Sequence, residues 1–188
     1  MSSRLTSLDQ VAEATWRELA AAALDRGHEW QHPVLATVDG EVADARTVVL
    51  REVDVEQHLL RFYTDERAGK VAQLERHPLG TLVCWSRRLG WQLRLRVQLG
   101  LLTSGLAVSS RWAHIRLTPA AHDYLSPLPP GATLDEPAPA GILRSSAVER
   151  VAFSVVEAQV LSLDWLELHR EGHRRARFDT AGARWLQP

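Results

Sequence analysis

Apolar positions between Leu8 and Arg26 (Leu8, Val11, Ala12, Trp16, Leu19 and Ala23, with Thr15 among them) recur at roughly 3.6-residue spacing and predict an amphipathic helix. Ser7 followed by Gln10 is a capping-box signature at its start, and Gly27 supplies its stop. The pattern then changes to short runs rich in Val and Leu. Val34 to Val38, Ala45 to Val53, Leu59 to Thr64, Thr81 to Ser86 and Trp91 to Thr103 predict strands, with a hairpin turn at Asp39-Gly40. Arg67 to Arg76 predicts a short helix that closes before His77-Pro78. Ser109 to Tyr124 predicts helix broken at Pro119, a residue favoured in a first turn. Ser126 to Gly141 is proline-rich and without period, a loop or lid. Val151 to Leu163 predicts a further strand, and Arg174 to Phe178 with Ala183 to Leu186 a closing hairpin around Ala181-Gly182. Many short antiparallel strands with two or three helices predict a mainly β, α+β barrel with helical decorations.

Length and charge narrow this picture. At 188 residues the chain suits one domain, expected to run from 1 to 188, with the helix at about 8–26 and the proline-rich loop at about 126–141. A formal net charge of −1 provides no global field for nucleic acid or an anionic membrane, so neither is expected as a partner. No apolar run approaches the roughly 20 residues of a membrane span, and Met1 to Thr6 carries no signal-type stretch, so a cytoplasmic location is expected. The single cysteine, Cys84, forbids an internal disulfide and reads as a buried thiol in the apolar run Thr81 to Trp85.

His28-Glu29-Trp30-Gln31-His32 matches the zinc-protease pattern H-E-x-x-H, whose chemistry needs both histidines on one helical face. Gly27 before it and Pro33 after it argue for a connection between helix and strand, and no metal is expected. No Walker loop, nucleophile elbow or G-x-G-x-x-G is present. Three clusters remain. They are Arg46-Thr-Val-Val-Leu-Arg51, Phe62-Tyr-Thr64 with Lys70 six residues on, and Trp91-Gln-Leu-Arg-Leu-Arg96. Each alone reads as a solvated face. Together, Arg46 and Lys70 offer convergent cations for a phosphate, and Tyr63, Thr64 and Gln92 offer hydrogen bonds to a polar heterocycle. Lys70 is the only lysine in an arginine-rich chain, which singles out that position for a compact ammonium.

In order and spacing these clusters, with Asp65, Lys70-Val-Ala-Gln-Leu74, His77-Pro78 and Cys84-Trp85, resemble the pyridoxamine 5'-phosphate oxidase family. The resemblance covers Val34 to Val97 and returns at Arg177-Phe178, Trp185 and Pro188. His32-Pro33, Leu35-Ala-Thr37, Pro129 to Gly131, His173 to Phe178 and Trp185-Leu186 are similar to the oxidase-related FMN-binding branch without an assigned substrate. The resemblance implies a six-stranded antiparallel Greek-key split β-barrel, a homodimer with FMN at its interface, and a small-molecule substrate. It implies cofactor contacts from Arg46, Val49, Leu50, Arg51, Tyr63, Thr64, Lys70, Gln92 and Arg177. Arg46 and Lys70 would hold the phosphate, Arg51, Tyr63, Thr64 and Gln92 would lie nearer the ring system, and Arg177 would reach across from the second subunit. His173 and Arg175 align with the family's substrate-orienting Arg and His. The expected function is an FMN-dependent oxidoreductase of unnamed substrate and unnamed catalytic residues. Alternatives are a non-catalytic FMN-binding or sensor protein, or a pyridoxamine 5'-phosphate oxidase with a remodelled substrate site. The chain departs from the family at the Y-x-x-x-R-x-x-x-S substrate element, which is missing, and at Gly69, where a basic residue usually precedes the phosphate lysine.

Overall fold

The structure is a computed structural model and describes residues 4–135 and 152–188. The first helix, α1 (Leu8–Leu24), starts as the capping pattern dictates: Ser7 Oγ accepts from the Gln10 amide, and Gln10 Oε1 accepts from the amide of Thr6. It ends two residues before the predicted Arg26, because Asp25 turns its carboxylate back to accept the Gly27 amide. Val11, Ala14, Leu19 and Ala22 form its buried stripe.

Strands β1 (Val34–Asp39), β2 (Val42–Thr47), β3 (Leu50–Asp54) and β4 (Leu59–Asp65) follow. The predicted run Ala45 to Val53 is therefore two strands. Val48 donates its amide to the Pro33 carbonyl and Leu50 to that of Gln31, which pulls the chain out of one ladder before it enters the next. Then come α2 (Gly69–Arg76), β5 (Leu79–Ser86), β6 (Trp91–Leu102), α3 (Leu106–Ile115), a 3-10 turn at Pro119–Tyr124, β7 (Phe153–Glu167), β8 (Arg174–Asp179) and β9 (Gly182–Leu186). The helix predicted from Ser109 starts earlier, at Leu106, where Gly105 adopts a positive φ of 88° that a side chain would resist. Residues 136–141 of the predicted loop, and Val151 of the predicted strand, lie outside the described residues.

The described residues hold nine strands in one antiparallel sheet, three more than the six expected, while the class is as expected. The order is β2-β1-β5-β6-β7-β4-β3, with β8 and β9 branching from β7. The branch is what splits the barrel. Along one edge β7 pairs with β6, from Val155 to Glu167. On its other edge Phe153 to Gln159 pair with β4, whereas Leu163 to Glu167 pair with β8. Alternation along β6 puts Trp91, Leu93, Leu95, Val97 and Leu99 into the core and Arg94, Arg96 and Gln98 outside it. Trp30, Leu35, Phe62, Leu82, Val156 and Trp165 complete that core beneath α1. A smaller cluster of Val108, Tyr124, Phe153 and Val155 lies under α3.

Candidate functional site

The residues singled out from sequence fall into two groups. The first surrounds the end of β4 and the start of α2. Thr64 is buried in the β4–β7 ladder, where Ser154 Oγ donates to its carbonyl at 3.1 Å. Lys70, in the first turn of α2, donates from Nζ to Thr64 Oγ1 at 2.8 Å, one of the three donors an ammonium carries. Burial pushes the Lys70 ammonium below the usual lysine range, the Arg46 guanidinium adds to this, and Asp65 partly opposes both. Two cations thus stand close enough to disfavour one another, which is the electrostatic signature of an anion cradle. No side chain caps the start of α2.

Arg46 is held from beneath and from the side. Nη1 donates to Thr37 Oγ1 and, weakly at 3.5 Å, to the Leu35 carbonyl, while Nη2 donates to Asp44 and to Gln73 Oε1 at 2.9 Å. Gln73 Nε2 in turn donates to Asp44 at 2.8 Å. Spacing legible in the sequence brings part of this set together. Asp44 and Arg46 alternate on one face of β2, and Gln73 sits one helical turn from Lys70. Sequence reasoning missed Thr37, Asp44 and Gln73. The spacings of Asp44 and Gln73 are readable, whereas Thr37 joins only through the β1–β2 register that sets it opposite Asp44.

Arg51 and Tyr63 lie next to this cluster, on neighbouring strands. The Arg51 guanidinium sits 5.7 Å from the Tyr63 ring centroid, and its Nε is buried without a hydrogen-bond partner. Tyr63 donates its hydroxyl to Glu52 at 2.8 Å, and Arg111 of α3 clamps the same carboxylate with two bonds of 2.6 Å. Burial, then the Glu52 hydrogen bond and charge, drive the Tyr63 pKa well upward, so this hydroxyl stays protonated. Phe153 packs edge to face on the Tyr63 ring, and Trp112 and Tyr124 pack in turn on Phe153. Val49 is half-buried between β2 and β3, and Leu50 belongs to the core.

The second group is on the outer face of the sheet, around the other end of β7. Gln92 pairs with Leu166, and Leu166 with Arg175. Asp164, buried between Arg94 and Arg177 in register, accepts from Arg94 at 3.0 Å and from two Arg175 nitrogens at 2.8 and 3.0 Å. Arg175 is thus committed to a carboxylate of its own chain. Arg177 reaches Asp179 only at 3.9 Å and keeps a buried Nε without a hydrogen-bond partner. His173 is exposed, and its Nδ1 accepts from the His169 amide. The His28–His32 stretch forms turns, with Glu29 accepting from Ser86 Oγ and from the Arg87 and Arg88 amides.

The donor set fits a phosphorylated, polar ligand. Among the described residues Lys70 has unused donors, and Arg51 and Arg177 each carry a buried Nε–H without an acceptor, a cost of about 1–3 kcal/mol apiece unless a ligand or water takes it up. Fold and donors together define a class, an antiparallel split-barrel protein with a cationic cradle at the end of β4.

Residues 13–103 match the model of the pyridoxamine 5'-phosphate oxidase FMN-binding domain. That match spans a little under half of the chain, and with the fold it makes the chain similar to the pyridoxamine 5'-phosphate oxidase-like proteins. It is similar in structure to a pyridoxamine 5'-phosphate oxidase-related, FMN binding protein from Nostoc punctiforme, at 24% identity and a TM-score of 0.69, covering 92% of this chain and 97% of that one. It is also similar to PhzG from Burkholderia lata, solved with tetrahydrophenazine-1-carboxylic acid, at 17% identity and a TM-score of 0.76 over 100% and 99% of the two chains. A heme binding protein from Mycobacterium smegmatis shares the fold at 16% identity and a TM-score of 0.52, over 92% of this chain and 59% of that one. No curated protein matches the chain significantly. Among the described residues, no helix is long and apolar enough to cross a membrane.

Proposed function

We propose that the protein binds FMN between two copies of itself and acts as an FMN-dependent oxidoreductase on a small molecule. The observation that carries this is the division of the site along β7. Thr64 pairs with Ser154 and Gln92 with Leu166, twelve residues apart on that strand. At about 3.3 Å per residue this is roughly 40 Å of strand contour. A separation of that order along the strand is longer than a mononucleotide, which supports a shared site: a two-fold partner would offer its second group to the first group of its mate. The second group's face supports such a partner. Val34, Val38, Leu79 and Trp85 are exposed on β1 and β5, with Trp85 in register with Gln92 and Val34, through Val83, with Arg94, and Val38, Leu79 and Arg96 line a groove of ≈ 520 Å³.

Lys70, Thr64 and Arg46 would hold the phosphate. Arg51 would lie nearer the ring system, with Tyr63 fixed beside it by Glu52, and Gln92 and Arg177 would come from the second copy. The flavin supplies the redox chemistry when bound; the protein binds, orients and excludes water. Commitment of Arg175 to Asp164 stands against its use on a substrate phosphate.

Hybrid dimers test the reading. Lys70→Ala and Arg177→Ala homodimers are each expected to bind FMN weakly. Mixing them through unfolding and refolding is expected to restore full-affinity sites present in neither parent, because one site of each hybrid carries both wild-type residues. A monomer in light scattering that holds FMN at full occupancy, or hybrids no better than their parents, would refute the shared site. Release of FAD, or no flavin uptake, would refute the cofactor.

A further inference from the structure

The donor inventory of Arg46 points beyond that reading. A guanidinium has four terminal N–H groups and one at Nε. All four terminal groups are occupied: Nη1 by Thr37 and the Leu35 carbonyl, Nη2 by Asp44 and Gln73. Thr37 and Gln73 are buried, at 3% and 4% exposure, and tied to each other by a bond from Thr37 Oγ1 to Gln73 Oε1 at 2.6 Å, so neither can swing out to water to make room for a ligand. The Asp44 side chain is 48% exposed, so it alone among these partners can return to water. The hydrogen bond from the Gln73 amide and the charge of Arg46 hold its carboxyl below the usual range, against a smaller opposing effect of burial. Lys70 is the contrast, with a single bond, to Thr64, and donors to spare.

We propose that Asp44 is a specificity-determining residue: it occupies Arg46 until a phosphate displaces it, so the site exchanges one anion for another on the same guanidinium. Lys70 is then the preformed contact and Arg46 the conditional one. A ligand with a weakly charged or neutral tail gains nothing by opening the Arg46–Asp44 pair, whereas a phosphate monoester, with more charge and more acceptors than a carboxylate, does. The inference rests on the proposal that the cradle receives the FMN phosphate.

The test is titration of FMN and of riboflavin, which lacks the phosphate, into full-length flavin-free protein, read by flavin fluorescence. Wild type, Asp44→Asn, Arg46→Ala and the double variant are compared, with circular dichroism to verify folding. Asp44→Asn is expected to bind FMN about three- to tenfold more tightly at low salt, the scale of losing one partly exposed competing ion pair. Riboflavin affinity is expected to stay unchanged, and the gain to vanish in the Arg46→Ala background. Weaker FMN binding by Asp44→Asn would overturn the proposal, since Asp44 would then be holding Arg46 ready. A gain that survives without Arg46, an equal gain for riboflavin, or no change would overturn it as well. Thermal stabilisation by inorganic phosphate separates the two readings. If wild type takes up no FMN, yet phosphate stabilises Asp44→Asn more than wild type, the cofactor proposal falls and this one stands. Without that difference, this one falls too.

Discussion

The two ends of β7 use the same residue type in opposite ways. Where β4 pairs with it, Lys70 and Arg46 stand close enough to repel, Arg51 lies over Tyr63 on the neighbouring strand, and the carboxylate bonded to Arg46 is the half-exposed Asp44. Where β8 pairs with it, Arg94 and Arg175 converge on Asp164, a buried carboxylate supplied by β7 itself. One end is left cationic and short of acceptors; the other is neutralised from within. Counting arginines therefore does not locate a binding site. What locates it is the set of donors that the chain's own acceptors do not consume.

The largest expected effect comes from breaking the open end. Lys70→Ala is expected to weaken FMN binding by about 1.5–3 kcal/mol, the range for hydrogen bonds to charged groups, and to leave riboflavin binding unchanged. Lys70→Arg is also expected to lose affinity, since a planar fork does not replace an ammonium that approaches through Thr64. Titration of both flavins into each variant decides this. An equal loss for riboflavin would make Lys70 a structural residue and erase the contrast.

How much of this contrast the sequence discloses depends on how far apart the partners lie. Thr64 and Lys70 are six residues apart across one strand-to-helix turn, a spacing that groups them in one cluster, and Lys70 bonds Thr64. Asp44 is equally readable in spacing, two residues from Arg46 on one strand face, but spacing does not say which cation a carboxylate will hold. Asp164 was not readable. Its partners are seventy residues upstream and eleven downstream, on strands whose register depends on the long β7 pairing and its irregularity between Arg96 and Val97. The strand count failed for a related reason. Resemblance supplied the barrel's six strands, while the break at Val48-Val49 depends on hydrogen bonds to the remote loop residues Gln31 and Pro33.

Breaking the neutral end should act on stability first. Burial pushes the Asp164 carboxyl upward, but hydrogen bonds from Arg175 and Arg94 hold it below the usual aspartate range. A carboxyl depressed in the folded state contributes stability above its unfolded pKa and loses it as pH falls through the folded value. Asp164→Asn is therefore expected to cost about 1–2 kcal/mol at neutral pH, a figure moderated because both arginines are partly exposed. The deficit is expected to shrink on acidification below about pH 4, where the carboxyl of the unfolded chain begins to protonate while the folded one is still charged. Urea unfolding at both pH values checks this. A deficit independent of pH would mean that shape, not charge, holds Asp164 in place.

The smallest effect would sharpen the comparison by adding to the open end. Gly69 precedes Lys70 at the exposed start of α2, and a Cβ built there meets no atom within 4 Å. Glycine at this position is thus not required by packing, nor by a positive φ. Gly69→Ala is expected to stabilise the fold slightly, by up to about 1 kcal/mol through helix propensity, and to leave FMN affinity unchanged. Gly69→Arg adds a cation beside a site that already holds two, so mutual repulsion offsets part of its attraction for a phosphate. With both effects screened at an exposed position, the net gain in FMN affinity is expected to be about two- to fourfold at low salt and to fade at high salt. Comparing the two substitutions separates charge from helix stabilisation. If alanine weakens FMN binding as well, close approach of the ligand to the Gly69 backbone is what the cradle needs, and the open end is built from main chain as much as from Lys70.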